Sequence, residues 1–177
     1  NVGLEVSVAG NALTIALKTE SGGDPSAGDP VFIPFRSATL TSGTPDGVKV
    51  TAATSVVVSS GSTLGTVSAQ AHRIYIVGVN DGGTFRLGVW NPYNNTGPQI
   101  KGIDDGSLYS STAEGGAGAA DSPQILYTGT AVTDKAVRVL GYFESTQATA
   151  GTWATTPSKV QVMQPGVKRT GDIVQGV

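Results

Sequence analysis

Apolar and polar residues alternate with a period of two along much of this chain. Leu4, Val6 and Val8 are separated by Glu5 and Ser7, and beyond Gly10-Asn11 the alternation resumes with Leu13, Ile15 and Leu17 against Thr14, Ala16 and Lys18. Such a period sends successive side chains to opposite faces, so it predicts a two-stranded hairpin with one wet face. Residues 19–30 carry Asp24-Pro25 and Asp29-Pro30 among Gly and Ser, turn chemistry that predicts a surface loop. Val31 to Phe35 is an apolar run containing Pro34, whose missing N–H restricts the run to a sheet edge or a bulge. Thr44-Pro45-Asp46-Gly47 predicts a turn leading into a short strand from Val48 to Thr51. The β-branched run from Ser55 to Ser59 predicts a buried strand.

The densest apolar pattern runs from His72 to Trp90, with Ile74, Ile76 and Val77 on one arm, Phe85, Leu87 and Val89 on the other, and Asn80-Asp81-Gly82-Gly83 between. This predicts a hairpin at the centre of the domain. Residues 91–106, rich in Asn, Pro and Gly, and residues 112–123, nearly all small, have no periodic apolar face and are expected to be loops. Three further strands are expected at Ile125 to Gly129, Ala136 to Glu144 and Ser158 to Gln164. About nine to eleven short strands at roughly 8–12-residue spacing, with no helical period, predict an all-β domain over 1–165, an antiparallel β-sandwich or jelly-roll-like fold. Residues 166–177 turn basic and polar and are expected to exit toward a further module. No repeat of fixed length recurs, which disfavours a solenoid. The opening Asn1, where a Met would begin a primary product, suggests a processed chain or a segment of a longer one.

Composition narrows the chemistry. The 177 residues include 25 glycines and only 14% charged side chains, with a formal charge of −2, so no field strong enough to hold nucleic acid or an anionic bilayer is expected. No apolar run approaches the ~18 residues needed to span a membrane as a helix. Without cysteine there is no thiolate nucleophile, disulfide or Cys-type metal site. His72 is the only histidine, so two-imidazole sites within one chain are excluded as well.

Four features remain as candidate chemistry. Asp104-Asp105-Gly106 could supply Ca²⁺ ligands or one carboxylate of a glycosidase pair, but it lacks EF-hand spacing and reads as an Asp-Gly turn. His72 has no G-x-S-x-G serine to serve and reads as a strand-end histidine. The glycine tract 115–118 lacks both the dinucleotide-binding and the Walker pattern and reads as a flexible loop. Trp90-Asn91-Pro92-Tyr93 could form a stacking platform for sugars or could pack in a core or between subunits. Trp90, Tyr93, Asn94 and Asn95 are therefore the candidate recognition residues, and Asn94-Asn95-Thr96 also matches an N-glycosylation acceptor that matters only in a secretory compartment. No catalytic residue, metal ligand or cofactor is expected.

Several longer strings carry a resemblance. Leu13-Thr14-Ile15-Ala16-Leu17-Lys18 followed by Asp29-Pro30-Val31-Phe32-Ile33-Pro34-Phe35-Arg36, then Ser59-Ser60-Gly61-Ser62-Thr63-Leu64-Gly65-Thr66, the segment from Ser110 to Ser122, and Tyr127-Thr128-Gly129-Thr130-Ala131-Val132 resemble a β-rich module of tailed-bacteriophage virion structural proteins, notably tail-fibre-like ones. Pro165-Gly166-Val167-Lys168-Arg169-Thr170-Gly171-Asp172-Ile173-Val174-Gln175 resembles the junction into another C-terminal β module. The resemblance implies a non-enzymatic component of the phage particle: a fibre module for assembly and host attachment, forming a homo-oligomer, a trimer by analogy, with other virion proteins and host surface glycan as partners. A capsid-bound decoration protein or head fibre is the alternative. A tailspike-type glycan depolymerase is the other, and it would need two carboxylates about 5–9.5 Å apart in a groove.

Overall fold

The computed structural model describes residues 2–36, 45–94 and 99–163. Among these residues it is all-β, with no helix. The strands are β1 (Gly3–Ala9), β2 (Ala12–Lys18), β3 (Val31–Arg36), β4 (Pro45–Val50), β5 (Ser55–Val58), β6 (Ala71–Asp81) and β7 (Thr84–Trp90). Then follow β8 (Tyr93–Asn94), β9 (Gln99–Ile100), β10 (Leu108–Tyr109), β11 (Thr112–Ala113), β12 (Leu126–Thr128), β13 (Lys135–Thr146) and β14 (Lys159–Val162).

Two sheets and two ribbons arise. A three-stranded sheet has the order β1-β2-β5, and a seven-stranded sheet runs β10-β13-β6-β7-β12-β11 with β14 also on β13. β3 pairs with β4, and β8 with β9. Both predicted hairpins form, and their turn residues explain why. Gly10 and Asn11 have φ of 56° and 62°, and Gly82 and Gly83 have 60° and 90°, the double positive φ of a type I′ turn whose twist matches the strands it joins. The outer strings fall on the expected strands, while Gln164 and the exit segment 166–177 lie outside the described residues.

Packing follows strand parity. Ile74 and Ile76 of β6, Phe85, Leu87 and Val89 of β7, and Leu140 and Phe143 of β13 face the main core, where they meet Leu13, Ile15 and Leu17 of β2 and Val56 and Val58 of β5. The β3–β4 ribbon closes the same core with Val31, Ile33, Phe35, Val48 and Val50. Val77, Val79, Trp90, Leu126, Val132 and Val137 form a second cluster. Because the alternate residues of β6 go to different clusters, its centre is buried on both faces and residues 76–80 read as a continuous buried run.

β13 holds its long register with β6 only by means of a bulge. Val139 pairs with Val77 and Gly141 with Ile76, leaving Leu140 as the extra residue. The extra residue reverses parity, so Val137 joins Val79 in the second cluster while Phe143, paired with Ile74, joins the main core. Gly141 is required beside the bulge, since a Cβ there would collide with the Gln161 carbonyl of β14.

Three expectations are corrected, besides the turn expected at Thr44 to Gly47, whose Pro45, Asp46 and Gly47 instead begin β4 and pair with Arg36, Phe35 and Pro34, Thr44 lying outside the described residues. The run Ser55 to Ser59 is not buried throughout: β5 packs on one face, so Val56 and Val58 are buried while Val57 is 44% exposed. One strand pair, β11 with β12, is parallel, whereas the sequence suggested antiparallel pairing throughout. The third correction is the largest. The tract around Gly115–Ala120 is a loop, as expected, with Gly115 and Ala117 to Ala119 exposed, but it is fastened rather than free, because Glu114 and Ala120 at its ends are buried. Glu114 accepts from the Ser59 N–H (2.7 Å), Ser59 Oγ (2.9 Å), Ser62 Oγ (2.9 Å) and the Gly116 N–H (3.1 Å). The Ala120 carbonyl accepts from the Leu64 N–H, and Asp121 Oδ1 from the Thr63 N–H. Small residues let the two backbones approach: a Cβ on Gly61 would lie 3.2 Å from the Gly118 nitrogen. Beneath this junction Trp153 is fully buried and donates from Nε1 to the Ser62 carbonyl at 2.9 Å.

Candidate functional site

At the end of the long hairpin where β6 begins and β13 finishes, a groove of about 680 Å³ opens to solvent. Cross-strand register builds its floor, placing Arg73 opposite Glu144 and Tyr75 opposite Tyr142. Arg73, Tyr75 and Glu144 line the groove, and Tyr93 and Ile100 of the β8–β9 ribbon stand over it. Gln70, Ser145 and Ser158 add polar groups at the margin. The volume lies within the range of small-molecule sites.

The electrostatics of the floor are local. Arg73 Nε donates to Glu144 Oε1 at 2.9 Å and Nη2 donates to the same oxygen, so both bonds converge on one carboxylate atom. That carboxylate holds the guanidinium above its ordinary pKa. Arg73 also lies over the Tyr142 ring, 4.3 Å from its centroid, with Lys159 on the same ring at 5.5 Å. Tyr75 meets Tyr142 edge-on at 6.2 Å. Glu144 Oε2 accepts no hydrogen bond among the described residues and remains an acceptor on the groove lining.

His72 belongs to the margin of this groove, but its chemistry is that of a packed residue. Its ring meets Trp153 edge-on at 5.8 Å, and Nε2 is buried with no hydrogen-bond partner among the described residues. Nδ1 lies 3.3 Å from the Gln70 carbonyl, a contact only a protonated Nδ1 can use, which leaves Nε2 as a bare acceptor in the neutral ring. Burial pushes the imidazole pKa down, opposed in part by the Gln70 carbonyl.

The four sequence candidates part company here. Trp90 is only 3% exposed and cannot present a ring face to a ligand. It sits in β7 between Tyr75 of β6 and Leu126 of β12, donates from Nε1 to the Lys101 carbonyl at 2.9 Å, and meets Tyr109 edge-on, so its place in a central strand consumes it in packing. Tyr93 is 46% exposed and lines the groove. Asn94 is half-buried, pairs with Gln99 in the ribbon and does not line the groove, and Asn95 lies outside the described residues. Sequence reading missed Arg73, Tyr75, Glu144 and Ile100. The first two carried a faint signal as the off-core residues of β6, but Glu144 joins them only through pairing 71 residues away.

Asp104-Asp105-Gly106 is used structurally. Asp104 accepts from the Gly106 N–H (2.7 Å), Ser107 Oγ (3.1 Å) and Tyr109 OH (3.1 Å), and the Gly106 bond leads the effects that hold its carboxyl below the ordinary range. Asp105 Oδ1 accepts from the Val139 N–H at 3.0 Å, which ties this turn to the bulge of β13. Among the described residues no three His, Asp or Glu side chains are grouped so as to hold a metal ion. No protein-family model, curated protein or solved structure matches the chain.

Proposed function

We propose that this chain is a non-enzymatic structural module of a tailed-phage particle, a fibre-type unit that contributes to assembly and host attachment. The sequence resemblance supplies the setting. The observation that carries the attachment role is the open groove, set on the ends of two long paired strands and holding, among the described residues, a single carboxylate, Glu144, already engaged by Arg73. A rigid sheet displaying a polar and aromatic recess suits reversible binding. A depolymerase of the usual kind needs a second carboxylate across the scissile bond, and the groove lining offers none among the described residues.

The proposal places the chain in the virion, as a homotrimer in contact with other virion proteins. Gold-labelled antibody against the chain, imaged on intact particles, tests the location. Label on the tail supports the fibre reading, label over the head transfers the module to the decoration or head-fibre class, and unlabelled particles overturn the virion assignment. Sedimentation of the purified chain tests the trimer. Release of reducing ends from host polysaccharide, abolished by Glu144→Gln, would replace the structural reading with the depolymerase.

A further inference from the structure

We infer that the groove between the β6–β13 floor and the β8–β9 ribbon is a saccharide-binding site that selects neutral sugars over acidic ones. This deepens the attachment reading above and rests on it for its biological setting, though not for its chemistry.

Three observations point to that ligand class. First, Tyr93 at 46% and Ile100 at 75% exposure form an apolar wall beside a polar floor, an arrangement that takes a ligand with both faces. A pyranose has such faces, with axial C–H groups that pack on a tyrosine ring and hydroxyls around its edge. Second, the floor offers directional hydrogen bonds in both senses. Arg73 spends one hydrogen each of Nε and Nη2 on Glu144 Oε1 and also engages the Tyr75 side chain, so only part of its five-donor fork is committed, while Oε2 retains its acceptor capacity. A donor and an acceptor held side by side suit adjacent sugar hydroxyls, each of which both donates and accepts. Third, the charges on the floor cancel. Arg73 is neutralised by Glu144, and the lysines Lys159, over the Tyr142 ring, and Lys101, over the Trp90 ring, are outside the groove lining. An acidic sugar would bring a carboxylate beside Glu144 with no uncommitted cation among the described residues of the lining to receive it, so neutral residues are favoured.

The site is also built to hold its shape. Tyr75 and Arg73 are both braced against Tyr142, and Asn91, which leads into the ribbon, is buried and donates from Nδ2 to the Leu64 carbonyl at 2.8 Å. Preorganisation of this kind limits the ordering cost of binding a flexible glycan.

The test uses the purified full chain on an array of neutral and uronic-acid-containing oligosaccharides, followed by calorimetric titration of the best-bound neutral oligosaccharide. The expected result is binding of neutral oligosaccharides, weakened roughly fivefold to tenfold by Tyr93→Ala, as expected for loss of one aromatic stacking contact. Glu144→Gln should weaken it further, while Phe32→Ala on the distant β3–β4 ribbon should leave it unchanged. Circular dichroism of each variant separates lost binding from lost fold. No binding at millimolar oligosaccharide, preference for the acidic members, or affinity insensitive to Tyr93→Ala in a folded variant overturns the proposal. Each of these outcomes leaves the particle-labelling experiment to decide the virion assignment on its own.

Discussion

Residues 91–106 and 112–123 are both non-periodic and poor in large apolar side chains, yet they are fastened to the sheet in different ways. The second stretch is held from inside, through the buried carboxylate of Glu114 and the buried Ala120, against the segment 59–66. The first is anchored at its base by Asn91 and farther along by Asp105, which accepts from the Val139 N–H of β13, and between them it leaves Tyr93 and Ile100 standing in solvent beside the groove. Glycine content therefore reports two different things in one chain. At 115–118 the glycines supply positive φ along an exposed path, Gly61 on the facing segment lets the two backbones approach, and the tract is fastened at its buried ends. A stretch that contributes little apolar area can still be costly to disturb when it satisfies buried donors.

The strongest way to break this contrast is to delete 115–119. The deletion would pull Ala120 and Asp121 away from Leu64 and Thr63, and the expected loss exceeds about 4 kcal/mol, enough to abolish a cooperative native state in a marginal domain. Denaturant melts at fixed chain concentration measure it, and a change below about 1 kcal/mol would return the tract to the status of a free loop. Glu114→Ala isolates the carboxylate. It strips the Ser59 and Gly116 N–H groups of their acceptor and should cost roughly 2–4 kcal/mol, with Glu114→Gln recovering part because the amide oxygen can still accept. Equal losses for the two variants would show that packing volume, rather than the hydrogen-bond set, matters at that position.

A smaller effect distinguishes the margin between the two regions. His72 has its pKa lowered by burial, so the unfolded chain, titrating near ~6.5, takes up a proton before the folded one does. Stability is accordingly flat above about pH 6.5 and falls below it until the folded-state pKa is passed. His72→Gln should flatten that part of the profile. An unchanged slope between pH 7 and 5 would mean that His72 is solvated in the folded protein. The smallest effect is expected at Tyr93, where truncation to alanine should move stability by no more than roughly ±0.5 kcal/mol while acting on ligand affinity. A loss of several kcal/mol there would mean that the first stretch is a structural part like the second.

Local pattern was enough for several elements whose signal lies within a few residues, though not for the turn chemistry at Pro45-Asp46-Gly47, which falls inside β4. The alternation of Leu13, Ile15 and Leu17, the type I′ turns at Gly10-Asn11 and Gly82-Gly83, and the apolar arms from His72 to Trp90 all act through neighbours in sequence, and each is where the pattern placed it. Pro34 likewise sits in a two-stranded ribbon, where a missing N–H disrupts little. The two-residue strands β8 to β11 carry no period and were invisible for that reason. What only the tertiary structure decided depends on partners far along the chain. Trp90 looked available until β6 and β12 closed on either side of it, and Glu144 acquired a role only when the β13 register set it against Arg73. Glu114 looked like one acid among small residues, and three of the four donors that surround it come from residues 52 and 55 positions away. A period-two alternation specifies which face a side chain takes, but burial of charge and the assembly of a groove depend on which strands meet, and that choice is made by the packing of the whole domain.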